Sequence, residues 1–191
     1  MKILYIGPFR ANIIQQLKLY EDEIIHHENR LSSEMFIDPN YDIIISYGYR
    51  HIIPKVVTDY YKNRIVNLHI SYLPWNRGAD PNFWSFIDNT KKGVTIHFID
   101  EGIDTGDIIL QKEVKFNKNE TLRTSYEKLS NIIEELFIDN WYKIRNMEID
   151  PVCQIGKGTY HSSNEKERYA HLLVQGWDTK VKKVEDFKWK V

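Results

Sequence analysis

Two short apolar runs constrain the fold of this chain more than any other feature. Residues Lys2 to Ile6 and Asp42 to Ser46 are almost continuously apolar, and a glycine follows each run within two residues. Strands that are apolar along their whole length are buried on both faces, which is typical of the central strands of a parallel sheet. Such a sheet needs helices on both faces, so these runs favour an α/β fold.

Outside these runs, apolar residues recur with the periodicity of helices or strands. Helices are predicted over residues 11–20, 54–62, 81–87 and 121–147, and further strands over residues 23–26, 64–69, 93–99 and 107–116. This alternation predicts an α/β domain with a mostly parallel central sheet. Asp150 and Pro151 end the last helix, so we expect one domain over residues 1–150 and a short C-terminal extension over residues 151–191.

Composition excludes several classes of function. Of the 191 residues, 42% are apolar and 28% are charged, and the net charge is −1. Lysine and arginine are dispersed rather than gathered in a stripe, which argues against a nucleic-acid partner. No apolar stretch is long enough for a membrane span, and the N-terminal run is too short for a signal peptide. Cys153 is the only cysteine, so no internal disulfide can form, and we expect a cytoplasmic protein.

Two polar side chains stand together where one predicted strand ends. Asn67 and His69 are two residues apart, so on a strand over residues 64–69 they point to the same face. The prolines and the glycine that follow prevent the strand from continuing. In open α/β sheets, ligands bind at the carboxyl ends of the strands, so this pair is a candidate site.

The loop after the strand over residues 93–99 is rich in carboxylates. It carries Asp100, Glu101, Asp104 and Asp107. We expect this loop to return one carboxylate to Asn67 and His69 and so to complete a proton-transfer site. The same residues also have a purely structural interpretation. In that case Asn67 forms a turn, His69 is a partly buried polar side chain, and the acidic residues belong to a solvated loop.

A metal site is another chemical interpretation of these residues. His69, His97 and Asp104 would supply two imidazoles and a carboxylate, a set that binds divalent metals. That interpretation leaves Asn67 unexplained, and it places one ligand, His97, in the middle of a strand. We therefore expect no metal.

The same stretch contains a series of short motifs. They are Asn67-x-His69, Leu73-Pro74, Arg77-Gly78, Pro81 and Asp100-x-Gly102-x-Asp104-x-Gly106. Their order and spacing resemble the signature of the folate-dependent formyltransferases, the superfamily of the glycinamide ribonucleotide and methionyl-tRNA formyltransferases. The resemblance spans roughly the first 140 residues. It implies a three-layer, Rossmann-like formyltransferase fold, 10-formyltetrahydrofolate as the formyl donor, and no metal.

The resemblance implies a catalytic role for each of three residues. Formyl transfer to an amine passes through a tetrahedral centre with an oxyanion, which calls for a hydrogen-bond donor and a proton carrier. Asn67 would donate an amide hydrogen bond to the oxyanion. His69 would take the proton of the incoming amine or support the oxyanion as an imidazolium. Asp104 would orient His69 or relay a proton through water.

The donor pocket also follows from the resemblance. In the family, two loops enclose the pterin of the folate, and main-chain groups bind its amide edge. The corresponding residues here are Arg50, His51, Ile52 and Ile53 in one loop and Asp100, Glu101, Gly102 and Ile103 in the other.

The segment from Trp75 to Trp84 resembles the sugar N-formyltransferases, which act on nucleotide-linked amino sugars. The implied acceptor is a nucleotide-linked amino-dideoxy sugar. We expect dTDP-4-amino-4,6-dideoxyglucose or a related 3-amino sugar, used for a surface polysaccharide such as O-antigen. Acceptor contacts are expected from Arg10, Trp75, Arg77 and Lys157.

The extension after Asp150 is expected to bind the acceptor and to form a homodimer. Its aromatic side chains need cover from the rest of the chain or from a second copy. They are Tyr160, Tyr169, Trp177, Phe187 and Trp189. The extension is too short, and has no basic cluster, for the tRNA-binding domain of methionyl-tRNA formyltransferases, so we expect no tRNA substrate.

Two alternatives stay open. Glycinamide ribonucleotide formyltransferases have about this chain length, but they typically carry a glycine-rich loop with Ser and Asn after the first strand. This chain has Gly7-Pro8-Phe9-Arg10 there. A catalytically inactive nucleotide-sugar-binding module is the other alternative, and the complete set of Asn67, His69 and Asp104 argues against it.

Overall fold

The strands and helices of the chain alternate as the periodicity predicts. The computed structural model describes residues 1–36 and 40–187. The strands are β1 (Lys2–Ile6), β2 (Glu23–His27), β3 (Ile43–Tyr47), β4 (Ile65–His69), β5 (Arg77–Gly78), β6 (Gly93–Phe98), β7 (Ile108–Glu113) and β8 (Tyr160–His161). The α-helices are α1 (Ala11–Lys18), α2 (Lys55–Tyr60), α3 (Pro81–Ile87), α4 (Leu122–Arg145) and α5 (Val181–Glu185). Short 3-10 helices cover Ser33–Phe36, Glu165–Leu172 and Gly176–Asp178.

The main sheet joins six strands of the described chain in the order β2-β1-β3-β4-β6-β7. β1 is parallel to β2 and to β3, and β3 is parallel to β4. β6 and β7 run antiparallel, because Phe98 donates to the Asp107 carbonyl and Val114 donates to the Lys92 carbonyl. The predicted α/β fold with a mostly parallel central sheet is confirmed.

The inner strands are buried on both faces, as their apolar sequences require. Every residue of β3 and of β6 is buried, whereas β2, at the edge of the sheet, keeps partly exposed residues. α1 buries Ile13, Ile14 and Leu17, which lie on one face of the helix. No helix within residues 1–36 or 40–187 is long and apolar enough to cross a bilayer.

The chain folds as two compact units, each made of several segments. The first unit contains Met1–His69, Ile96–Leu110 and Glu134–Cys153. The second contains Ile70–Thr95, Gln111–Ile133 and the residues from Gln154 onward. The boundary suggested by the sequence, between a catalytic domain over residues 1–150 and an extension over residues 151–191, stays a prediction.

The first unit has a core of aliphatic and tyrosine side chains. Its buried members are Leu4, Ile6, Leu31, Tyr41, Ile44, Ile53, Val57, Tyr61 and Ile65. Full burial of a side chain of this size contributes about 1.5–3 kcal/mol. Because β1, β3 and β4 all contribute to this core, it holds these strands, and therefore their carboxyl ends, in fixed register.

The second unit joins α3 to the C-terminal segment through one apolar core. Its buried members are Phe83, Trp84, Phe86, Ile87, Leu122, Leu172, Val181 and Val184. Leu172, Val181 and Val184 lie in the predicted extension, so this segment packs within the unit. Trp177 keeps 40% of its surface exposed, and Trp189 lies outside the described residues.

His161 attaches the C-terminal segment to α3 in the second unit. Its ring stacks on Trp84 with 3.9 Å between the ring centroids. Nε2 lies 2.7 Å from Oδ2 of Asp88, and Nδ1 lies 3.3 Å from Oε2 of Glu165. The other oxygen of Glu165 accepts hydrogen bonds from the amide and the hydroxyl of Ser162, both at 2.8 Å.

The pKa of Glu165 should make this attachment sensitive to acid. Hydrogen bonds from Ser162 and from His161 lower that pKa from 4.5 to about 2. A carboxyl with a lowered pKa stabilises the folded state above its ordinary pKa, and the contribution disappears as the pH falls through about 2. We expect Glu165→Gln to lower the melting temperature more near pH 6 than near pH 3. Equal losses at both pH values, or an equal effect of the neighbouring control Glu167→Gln, would contradict this.

Candidate active site

Asn67 and His69 occupy the carboxyl end of β4, which lies between β3 and β6 in the sheet. His69 is the last residue of the strand and is only 8% exposed, while Asn67 is half-buried. The two-residue spacing directs both side chains to one side of the strand, where both meet the same carboxylate.

That carboxylate belongs to Asp104, in the loop between β6 and β7. Its Oδ1 accepts a hydrogen bond from Nδ2 of Asn67 at 3.3 Å, and its Oδ2 lies 3.7 Å from Nδ1 of His69. The side chain of Asp104 is 14% exposed, so the contacts form in a partly dehydrated environment, where hydrogen bonds are stronger than in water. The structure thus brings the three candidate catalytic residues together, while their chemical roles stay a prediction.

The loop reaches the site through a left-handed turn at Asp104, where φ is +53°. Aspartate tolerates this conformation better than most residues because its short polar side chain can bond locally. A Cβ at Gly106 would overlap a carbonyl oxygen of β6. Oδ1 of Asp100 accepts from the amide of Gly102 at 3.0 Å and from the hydroxyl of Thr105 at 2.6 Å. The first aspartate of the motif therefore folds the loop, and the second faces the site.

His97, which the sequence analysis considered only as a metal ligand, is a fourth member of the site. It is fully buried on β6, and its Nε2 lies 3.1 Å from Nδ2 of Asn67 and 3.5 Å from Oδ1 of Asp104. The sequence placed His97 in the middle of a strand, but β6 ends at Phe98. His97 therefore stands one residue from the strand end, beside the end of β4.

Hydrogen bonds determine which nitrogen of His97 carries a proton. Nδ1 lies 2.7 Å from the carbonyl oxygen of Phe98, which can only accept, so Nδ1 is protonated. Nε2 can then accept from Asn67, whose amide donates one hydrogen to His97 and the other to Asp104. If the side-chain amide of Asn67 were flipped, its oxygen would face the Asp104 carboxylate, and two acceptors would repel each other. The donor side of Asn67 is thus held by His97 and Asp104 together.

This network can perform proton-transfer chemistry without rearrangement of the strands. The bond from Asn67 to Asp104, at 3.3 Å, is longer than the contact of Asn67 with His97, at 3.1 Å. An incoming anionic oxygen would compete with His97 and Asp104 for the two amide hydrogens of Asn67. His69 contacts the same carboxylate through Nδ1.

Within residues 1–36 and 40–187, no group of three or more His, Cys, Asp or Glu side chains is placed to hold a metal ion. The rings of His69 and His97 are nearly perpendicular, at 88°, with their centroids 6.1 Å apart. Both face Asp104 at distances of 3.7 and 3.5 Å. We describe the cluster as a hydrogen-bonded network around one carboxylate.

The two loops predicted to enclose a pterin both belong to the first unit. Most of their residues are exposed, namely Arg50, His51, Ile52, Asp100, Glu101, Gly102 and Ile103. Ile52 is 80% exposed and Ile103 is 47% exposed, so each loop presents an apolar side chain to solvent. Ile53 is buried in the core instead, where its side chain serves packing. Glu101 pairs with Lys55 at the start of α2, which ties the second loop to that helix.

A cavity of about 320 Å³ in the first unit lies between α2 and the loop that follows β6. Of the residues predicted to bind the donor, Asp100 and Glu101 line it. Asn67, His69 and the loop of residues 50–53 are not part of its lining. The cavity is therefore separate from the catalytic network.

Arg10, predicted to contact the acceptor, lies at the start of α1 in the first unit. Its guanidinium lies 4.8 Å from the ring centroid of Tyr47, and its Nη1 is 3.9 Å from Glu134. The strand order reverses between β1 and β3, and such a switch point is where open α/β sheets bind ligands. The position suits a ligand, although a carboxylate already faces the charge of Arg10.

The other predicted acceptor residues belong to the second unit. Trp75 and Arg77 are half-buried, and Lys157 is exposed between two glycines with φ of +93° and +64°. The C-terminal segment runs alongside Trp75 and Arg77. The main-chain amide of Thr159 donates to the carbonyl of Pro74, and the main-chain amide of Arg77 donates to the carbonyl of Thr159. This backbone pairing continues as the parallel strands β5 and β8.

The chain is similar in sequence and in structure to proteins of known families. The family model described as formyl transferase matches residues 16–140. The crystal structure of the formyltransferase PseJ from Anoxybacillus kamchatkensis is 49% identical, with a TM-score of 0.94 over 96% of this chain and 97% of that chain. PseJ is there in complex with UDP-4,6-dideoxy-4-formamido-L-AltNAc and tetrahydrofolate.

More distant relatives fall in the same superfamily. A 4-N formyltransferase from Francisella tularensis is 25% identical, with a TM-score of 0.74 over 87% of this chain and 78% of that chain. The methionyl-tRNA formyltransferase of Thermodesulfovibrio yellowstonii is 38% identical over 152 residues, which are 79% of this chain and 49% of the relative. The chain thus spans about half the length of this curated relative.

The protonation of His97 can be measured directly. We expect nitrogen-15 NMR of histidine-labelled protein at pH 7.5 to show His97 with a protonated Nδ1 and an unprotonated Nε2, because the Phe98 carbonyl and the Asn67 amide require it. Asn67→Ala removes the donor to Nε2 and should change that nitrogen's shift, whereas the exposed control His171→Ala should leave the His97 signals in place. A protonated Nε2 in the unaltered protein would contradict the described network.

Proposed function

Because the chain belongs to the formyl transferase family, we propose that it transfers a formyl group from 10-formyltetrahydrofolate to the amino group of a nucleotide-linked amino sugar. The observation that carries this proposal is the return of Asp104 to Asn67 and His69 at the end of β4. An amide, an imidazole and a carboxylate in contact are the groups that such a transfer needs.

The transfer itself proceeds by addition and elimination at the formyl carbon. The acceptor amine attacks that carbon, and the carbonyl oxygen becomes an oxyanion, to which Asn67 donates. His69 takes the proton from the amine nitrogen, and Asp104 supports the resulting imidazolium through Nδ1. The oxyanion then reforms the carbonyl as the bond from the formyl carbon to N10 of the folate breaks. N10 receives the proton that His69 took, and tetrahydrofolate leaves.

His97 contributes to this step by holding Asn67 in its donor orientation. It contacts Asn67 and touches no reacting atom in the scheme, so it acts as a positioning residue. Preorganised donors stabilise a developing oxyanion at no cost in reorganisation, which is why a fixed amide is more effective than a mobile one.

The donor is proposed to bind between the two loops of the first unit. The exposed Ile52 and Ile103 offer apolar contact to a flat pterin ring, and the loop backbones offer hydrogen bonds to its amide edge. The ion pair of Lys55 and Glu101 and the bonds accepted by Asp100 hold the second loop in shape. Tetrahydrofolate in the PseJ crystal structure supports this choice of donor.

For the acceptor, we propose a UDP-linked 4-amino-4,6-dideoxy sugar. The support is the 49% identity with PseJ along nearly the whole length of both chains, together with the formamido sugar bound there. A dTDP-linked acceptor, a role in surface polysaccharide synthesis, a homodimer and a cytoplasmic location stay predictions from the sequence. Methionyl-tRNA is a second candidate acceptor, because methionyl-tRNA formyltransferases are among the sequence relatives.

An acceptor panel tests the proposal. With 10-formyltetrahydrofolate, we expect a UDP-linked 4-amino-4,6-dideoxy sugar to gain the mass of one formyl group. Under the same conditions, dTDP-linked 4-amino and 3-amino sugars, glycinamide ribonucleotide and methionyl-tRNA serve as competitors. Preferred turnover of methionyl-tRNA or glycinamide ribonucleotide would overturn the sugar assignment. Preference for a dTDP-linked sugar would overturn only the choice of nucleotide.

A further inference from the structure

Arg77 carries a charge that its protein partner does not cancel. Its Nε and Nη2 donate to Oε1 of Gln154 at 3.2 and 2.7 Å, and the backbone of Arg77 is fixed by β5. A guanidinium has only donors, so the oxygen of the glutamine amide must face it. Both donors share this one oxygen, and the partner is neutral.

Among the described residues, three other arginines face carboxylates. Arg123 pairs with Asp178 at 2.8 Å, Arg145 with Asp22 at 2.6 Å, and Arg10 faces Glu134 at 3.9 Å. Among the described residues, no carboxylate lies within the 4.0 Å of an ion pair with Arg77. The second unit therefore holds a half-buried guanidinium in a fixed place and leaves its positive charge available.

The edge of Arg77 that faces Gln154 uses Nε and Nη2. Within residues 1–36 and 40–187, no hydrogen bond joins its Nη1 to a protein acceptor. The edge that carries Nη1 and Nη2 matches the spacing of two phosphate oxygens, so it can bind a phosphate at two points where an ammonium acts as a single point charge. Gln154 also begins the segment that reaches Lys157, a second cation, three residues later.

We propose that Arg77 binds the diphosphate of the nucleotide-linked acceptor and that Gln154 is its positioning residue. Gln154 orients the guanidinium and, because it is neutral, leaves the charge for the diphosphate. This inference rests on the proposed function for the identity of the ligand. A carboxylate at position 154 would orient Arg77 equally well but would cancel the charge that attracts phosphate.

Gln154→Glu separates positioning from charge. UDP is the probe, and calorimetry measures its dissociation constant in the absence of any formyl donor, with dTDP in parallel. We expect Gln154→Glu to keep the melting temperature at or above that of the unaltered chain and to weaken UDP binding at least tenfold. Gln154→Met keeps the length but removes the acceptor, and should weaken UDP binding by a few fold through lost orientation. Gln175→Glu, at an exposed glutamine of the same unit, adds the same charge elsewhere and should leave UDP binding unchanged.

The outcomes distinguish this inference from the proposed function. If Gln154→Glu folds and binds UDP as the unaltered chain does, Arg77 does not hold the diphosphate, and the inference is wrong. It is equally wrong if neither UDP nor dTDP binds the unaltered chain. If Gln154→Glu lowers stability, then Gln154→Met decides, because a purely structural contact would lower its melting temperature without changing UDP binding. UDP binding that depends on position 154, without formyl transfer to any amino sugar, would support the inference while refuting the proposed function.

Discussion

The candidate site depends on one carboxylate, that of Asp104, and on the loop that carries it back to the sheet. Asn67 donates to it, His69 faces it through Nδ1, and His97 lies within 3.5 Å of it. Each of these side chains sits near the end of a buried strand, so none can move far without disturbing the core. A left-handed residue in the loop brings the carboxylate to these strands.

The spacing of the acidic loop motif has a mechanical explanation. Asp100 closes the loop by accepting from Gly102 and Thr105, and Gly106 lets the chain pass against β6 where a side chain would not fit. Gly106 therefore permits close backbone approach, and Gly102 leaves room for the side chain of Thr105. Asp104 is left with its carboxylate directed at β4, where it completes the network.

Much of this arrangement is readable from the sequence, and the reasons differ by element. Continuous apolar runs predict β1 and β3 because burial on both faces leaves no polar positions, and the spacing of Asn67 and His69 follows from the pleat of a strand. The contact of His97 with Asn67 could not be predicted, because it depends on β6 lying beside β4. No local sequence pattern specifies which strands are neighbours. The two-residue strands β5 and β8 and the stack of His161 on Trp84 likewise join distant segments by contacts that leave no periodicity.

The central claim is that the Asp104 carboxylate organises the reacting groups, and single-turnover kinetics of Asp104→Asn test it most directly. The substitution keeps the shape of the side chain but removes the charge that supports the His69 imidazolium. With saturating 10-formyltetrahydrofolate and the preferred amino sugar, the account predicts a formyl-transfer rate lowered by about 10²–10³, the order expected for loss of a preorganised electrostatic contact. Donor and acceptor affinities should stay close to those of the unaltered chain. A transfer rate within a few fold of the unaltered chain, in a variant that folds normally, would contradict the account.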